Sequence, residues 1–133
     1  MIISTKGRYA LRVMIDLAKN QDGNYIPLKE IAERQEISEK YLEAILKLLV
    51  NEKLVTGLRG KGGGYMLSRA PEDYTVWEII SCAENSLAPV ASLEEGAEEC
   101  KRALSCETLP MWKEFNKTVK DFFEKYTLKD LTQ

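Results

Sequence analysis

Two short helical runs separated by a turn, a glycine-rich hairpin directly behind them and a long aromatic helix near the C-terminal end set the expected fold class. They predict a mainly α chain with one small β-hairpin: a winged helix-turn-helix unit followed by a long C-terminal helix. The 133 residues suffice for one domain, or one domain with an appendage, and an apolar fraction of 44% is ordinary for a chain with a real core.

The first helix is expected over residues 4 to 20. Ser4 or Thr5 can cap it, and Tyr9, Leu11, Val13, Met14, Leu17 and Ala18 recur at helical spacing. "QDGNY" reads as a turn. Pro27 stands where a first helical turn accepts proline, and "LKEIAERQ" puts Leu28, Ile31 and Ala32 on one side of a short helix. Ser38 then caps "SEKYLEAILKLLVNEK". Its buried face is expected to be Tyr41, Leu42, Ile45, Leu46, Leu48 and Leu49, with Glu39, Lys40, Glu43 and Lys47 pointing elsewhere.

A helix pair alone is a weak signal. The next residues strengthen it: "LVTGLR" and "GYMLSR" read as two strands joined by "RGKGG", a hairpin directly behind the second helix of the pair. The glycines allow positive φ at the tip and a close backbone approach to a partner. Arg59 and Lys61 at that tip can enter a minor groove or hold phosphates. A nucleotide phosphate loop does not fit, because no Lys-Ser/Thr pair or helix comes after the glycines. A flexible linker does not fit either, because strand-like apolar residues flank both sides.

Composition narrows the function classes. Histidine is absent, which removes the commonest general base, the usual triads and the commonest zinc ligand, and argues against an enzyme. The net charge of −2 hides an asymmetry: residues 1 to 70 carry 12 Lys+Arg against 8 Asp+Glu, whereas residues 71 to 133 carry 7 against 13. A basic front half fits a polyanion-binding module with a different module behind it, although chance can also produce a difference of this size. No apolar run reaches the roughly 18 residues of a membrane span, and the charged N-terminus lacks a signal peptide's apolar stretch. A cytoplasmic location is expected. Three cysteines in a reducing compartment then point to buried thiols, a metal site or a redox site rather than disulfides.

The blocks "STKGRYALRVMIDLA", "IAERQEISEKYLEAILKLL", "LVTGLRGKGGGYMLSR" and "TVWEIISCAE", together with the final "YTLKDL", resemble the Rrf family of bacterial winged-helix repressors. The resemblance runs over almost the whole chain. It implies a homodimer on a palindromic operator in double-stranded DNA, and a long C-terminal helix, about Leu109 to Tyr126, that crosses its partner. The residues support such a helix independently. Met111, Trp112, Phe115, Val119, Phe122, Phe123 and Tyr126 form an apolar stripe that one small domain covers with difficulty. Packing within the monomer is the alternative.

In this arrangement Ser38, Lys40, Tyr41 and Glu43 occupy the first turns of the recognition helix, the part that reaches base edges. Glu43 can accept a hydrogen bond from cytosine N4 and so filter sequence, or it is simply a solvated charge. Tyr41 is equally a core candidate. Thr5, Lys6 and Arg8 can hold phosphates through their side chains and the helix N-terminus, and Arg59, Gly60, Lys61 and Gly62 form the wing's contact.

The expected division is 1–83 for the DNA-binding unit, 84–108 for a cysteine-containing sensor loop, and 109–133 for the dimerisation helix and tail. The resemblance implies that cluster-binding, IscR-like members hold an iron–sulfur cluster on three loop cysteines. Cys100 and Cys106 match the second and third, but Ser92 stands where the first is expected, and its hydroxyl is a poor iron ligand. A cluster is therefore expected to be weakly held or missing in this chain. The place of a histidine ligand in some members is taken by Leu109. Cys82 is expected to be a core thiol. The alternative is a cluster-free, CymR-like regulator of cysteine and sulfur metabolism that answers to a metabolic enzyme as partner or to a small molecule.

Overall fold

The computed structural model describes residues 3–84, 87–88 and 107–133. Helix α1 (Thr5–Lys19) starts where Ser4 Oγ accepts from the Gly7 amide, so Ser4 is the cap. A tight turn comes next, in which the Asn24 amide donates to the Asp22 carboxylate at 2.9 Å. Helix α2 (Leu28–Gln35) begins one residue after Pro27. Pro27 itself is extended and stands at the cap position, not inside the first turn as expected. Glu36 then takes a left-handed conformation, φ 54°, and Ile37 turns into the core. Helix α3 (Glu39–Asn51) is next, with Ser38 Oγ accepting from the Tyr41 amide at 3.2 Å.

Strands β1 (Val55–Leu58) and β2 (Gly64–Leu67) pair antiparallel, Val55 opposite Leu67 and Leu58 opposite Gly64. The hairpin is thus slightly shorter than the strands read from the sequence. Ile26 adds an unexpected third rung: it exchanges two backbone bonds with Tyr65, both 2.8 Å, and so ties the entry to α2 to the wing. A single 3₁₀ turn (Pro71–Asp73) leads to α4 (Val76–Ala83), and later come α5 (Leu109–Lys125) and the short α6 (Leu128–Leu131).

The main core is built by helical periodicity. Ala10, Val13, Met14 and Leu17 of α1 meet Ile31 of α2, Leu42, Ile45, Leu46 and Leu49 of α3, and Ile79 of α4. A smaller cluster of Val76, Ile80 and Leu87 packs with Leu11, Trp77 and Phe123 and seats α5 against α4. Two polar centres lie inside this framework. Asp16 is 2% exposed. It is held by both nitrogens of an Arg34 fork, at 2.8 and 3.0 Å, and by the Gln35 amide at 2.9 Å. This pins α2 to α1.

The second centre is Tyr74, fully buried. Its hydroxyl donates to the Leu54 carbonyl at 2.6 Å and accepts from the amides of Ser68 and Arg69 at 3.0 and 2.9 Å. Its own backbone carbonyl accepts from Leu128, and Val76 donates to Tyr126. The tail after α5 therefore returns to the winged-helix unit, and Leu128 is completely buried there. Burial holds the Tyr74 phenol above its ordinary range, so the hydroxyl stays protonated as this network requires. Tyr74→Phe removes all three of these bonds: the Arg69 amide loses its acceptor, and the Ser68 amide and the Leu54 carbonyl keep only the longer bond between them, 3.4 Å. It is expected to lower unfolding stability by about 2–3 kcal/mol, seen as a lower urea midpoint with an unchanged slope.

Candidate nucleic-acid interface

Burial of Leu42, Ile45, Leu46 and Leu49 fixes the rotation of α3 and leaves Glu39, Lys40, Glu43 and Lys47 exposed. Ser38 and Lys40 therefore lie open at its N-terminal end. Tyr41 is half-buried. Its ring meets Tyr9 of α1 edge-on at 5.8 Å, and Arg12 lies 4.8 Å over the Tyr9 ring. Arg12 also donates to the backbone carbonyl and side chain of Gln35. The first turn of α3 is thus braced by α1 and α2 together, and Tyr41 serves as both packing and edge. No local pattern in the sequence marks Tyr9 and Arg12 for this support, because the contacts of Tyr9 with Tyr41 and of Arg12 with Gln35 join residues more than twenty positions apart.

The wing tip presents Arg59, Gly60, Lys61 and Gly62, all exposed. Gly60 and Gly62 have φ of +90° and +78° with open space around them, so the turn itself requires glycine there. Gly63 and Gly64 have a different reason. A Cβ on Gly63 would lie 2.3 Å from the Leu58 carbonyl oxygen, and one on Gly64 would lie 2.2 Å from that of Ile26. The close approach expected toward a partner is, at these two glycines, an approach to the chain's own backbone. Between α3 and the wing runs an open groove lined by Glu43 and Lys47 on one side and Leu58, Arg59 and Tyr65 on the other. Lys47 lies one helical turn after Glu43, a signal for this placement that the sequence does contain.

The start of α1 exposes Thr5, Lys6 and Arg8, with Arg8 donating to the Thr5 hydroxyl at 3.2 Å. The helix N-terminus beside them already holds an anion. The Glu84 carboxylate accepts from the Ser4 amide at 2.7 Å and from its hydroxyl at 2.8 Å. Arg69 is likewise committed: it pairs with Glu78 at 2.6 Å and lies over the Tyr74 ring. The exposed cations of the first turn of α1, of α3 and of the wing tip are therefore Lys6, Arg8, Lys40, Lys47, Arg59 and Lys61.

Cys82 is half-buried and its thiol lies 3.6 Å from the Leu48 carbonyl. Burial pushes its pKa up to about 11, which makes it an inert packing thiol, as expected. Ser92, Cys100 and Cys106 lie outside the described residues. Among the described residues no cluster of three or more His, Cys, Asp or Glu side chains is arranged to hold a metal, and no helix is long and apolar enough to cross a membrane.

Residues 3–133 match the family model described as "Rrf2: Iron-dependent Transcriptional regulator". The chain belongs to the Rrf2 family. The HTH-type transcriptional regulator IscR of Erwinia tasmaniensis is 35% identical over 131 residues, 98% of this chain and 78% of that protein. The structure of CymR, the global cysteine regulator of B. subtilis, superposes with a TM-score of 0.76 at 39% identity, covering 99% of this chain and 96% of that one. T. potens IscR gives the same TM-score at 34% identity, over 98% and 85%. This Rrf2 chain is a DNA-binding transcriptional regulator and not an enzyme.

Arg59 at the wing tip is exposed, whereas Arg69 just after β2 is paired with Glu78. Arg59→Ala is expected to weaken binding to the native promoter at least tenfold in a gel shift while leaving the melting temperature unchanged. Arg69→Ala is expected to lower the melting temperature, because it unpairs Glu78 and uncovers Tyr74.

Proposed function

We propose that this Rrf2 chain is a homodimeric repressor that binds a palindromic operator. In this reading α3 lies in the major groove, the tips of the two wings lie on flanking DNA, and the α1 side chains rest on phosphates. What carries it is that the first turn of α1, α3 and the wing tip of a winged-helix frame each expose cations, and that α3 and the wing line one groove. Lys40, Tyr41 and Glu43 with Ser38 supply the base-edge contacts; Thr5, Lys6 and Arg8 hold the backbone; Arg59, Gly60, Lys61 and Gly62 form the wing contact. Gel shift and footprinting on the chain's own promoter test this. Protection should be two-fold symmetric, and affinity should fall with a slope of about −0.9 per phosphate contact in log salt.

The dimer rests on α5. Met111, Phe115, Phe122 and Tyr126 are 52%, 45%, 48% and 41% exposed, an apolar stripe that the described residues leave about half uncovered. A second copy is the occupant that the family resemblance suggests, and self-complementary apolar helices are a common two-fold interface.

Glu43 reads sequence. It lies in the groove beside Lys47 and Arg59 without an ion pair to either within 4 Å, free to accept from an exposed base donor. Glu43→Ala is expected to broaden the set of sites recovered in a selection from random duplexes, with little change in affinity for the best site. An unchanged consensus would return Glu43 to the role of a solvated charge.

For the sensed signal, the cysteine segment of this chain does not fit a complete iron–sulfur site. Cys100 and Cys106 offer two thiolates, Ser92 offers a neutral hydroxyl, and Leu109 is buried as the first residue of α5. The pattern reads as a cluster site lacking one ligand. Ser92→Cys is expected to give stable visible absorbance with matching iron and sulfide after anaerobic reconstitution, and Cys106→Ala in that background is expected to abolish it. A colourless Ser92→Cys protein would favour a second reading, supported by the missing thiol and the likeness to CymR: cluster-free control by a metabolic-enzyme partner or a small molecule.

A further inference from the structure

Glu84 is the first residue of the expected 84–108 cysteine-bearing segment, yet its carboxylate reaches 80 positions back along the chain. It accepts from both the amide and the hydroxyl of Ser4, while the same hydroxyl accepts from the Gly7 amide. The three residues form one socket. Gly7 is buried in α1, and a Cβ there would lie 2.3 Å from Glu84 Oε1 and 3.2 Å from its carboxyl carbon. A side chain at residue 7 would push the carboxylate out of this place. Gly7 has ordinary helical backbone, so its requirement is this space and not its flexibility. The carboxylate also sits at the positive end of the α1 dipole, where a negative charge is favoured.

We infer that Glu84 is a positioning residue for DNA binding: its carboxylate, seated in the Ser4–Gly7 socket, fixes the N-terminal turn of α1 and so aims Thr5, Lys6 and Arg8 at phosphates. This rests on the reading that those side chains contact DNA. Its consequence is a mechanical link. Glu84 is joined covalently to the segment after α4, and its backbone amide is bound to Ile80 at the end of that helix. Any displacement of the chain at residue 84 withdraws the carboxylate, leaves the Ser4 amide and hydroxyl without their acceptor, and loosens the turn that carries Lys6 and Arg8. A carboxylate near DNA would otherwise only repel phosphate; held by Ser4, its charge is spent on the helix end.

The test compares Glu84→Ala, Glu84→Gln, Gly7→Ala and Arg8→Ala in the full chain by the salt dependence of operator binding, with melting temperatures alongside. A lost phosphate contact flattens the slope of log affinity against log salt by about 0.9. Arg8→Ala should flatten it. Glu84→Ala and Gly7→Ala should each flatten it similarly, and combining them should add little, because both empty the same socket. Glu84→Gln keeps an oxygen acceptor for Ser4 and should retain the wild-type slope. If Arg8→Ala leaves the slope unchanged, the reading of the α1 contact itself fails. If Arg8→Ala flattens it while folded Glu84→Ala and Gly7→Ala proteins do not, the positioning role is overturned. If Glu84→Gln binds operator more tightly than wild type, Glu84 acts by repulsion and the proposal is likewise overturned.

Discussion

The buried hydroxyl of Tyr74 holds together three parts of the chain that are distant in sequence. It joins Leu54, just before β1, to Ser68 and Arg69, just after β2, while the Tyr74 backbone receives the C-terminal tail through Leu128. A hairpin of two four-residue strands is marginal alone. Here its base is clamped by that hydroxyl, its side is extended by Ile26, and its orientation to α3 is thereby set. The Asp16–Arg34–Gln35 centre does the corresponding work for α1 and α2. Both centres are fully paired, which is what allows polar groups in a core of this size to specify geometry instead of weakening it.

From this frame the proposed DNA face arises without further devices. Four buried aliphatic residues turn α3 so that Lys40 and Glu43 point outward, and two glycines of positive φ turn the wing so that Arg59 and Lys61 stand at its tip. The same Tyr74 connection has a second effect. Because Val76 bonds to Tyr126 and Leu128 bonds to Tyr74, the end of α5 is fixed to the base of the wing. A partner that packs on the aromatic stripe of α5 thereby positions two wings and two α3 helices relative to each other, the requirement for reading a symmetric site.

Much of this is legible in the sequence because it is local. Ser38 as a cap, the 42/45/46/49 stripe, the hairpin and the long aromatic helix are all written in spacing of three and four or in turn residues. The remainder depends on contacts between distant positions. Asp16 looks like a surface residue of an amphipathic helix until Arg34, 18 positions later, folds onto it. Gly7 looks like a helix weakness until Glu84 arrives, and Gly63 and Gly64 look like flexible tip residues until Leu58 and Ile26 fill their space. Leu128 sits in a tail that reads as an appendage but is part of the core. The cysteine segment is legible only through residue identities, so its assignment rests on Ser92, Cys100 and Cys106 as donors and not on geometry.

In the proposed assembly two copies, joined through α5, present the DNA face as a symmetric pair. Sedimentation equilibrium on the free protein and on its complex with a duplex carrying the native operator measures this directly. The expected result is a free species of twice the 15.1 kDa chain mass and two chains per operator duplex, with Phe115→Glu/Phe122→Glu reducing the free species to monomer and abolishing specific binding. A wild-type protein that sediments as a monomer at micromolar concentration and binds its operator as one chain would contradict it.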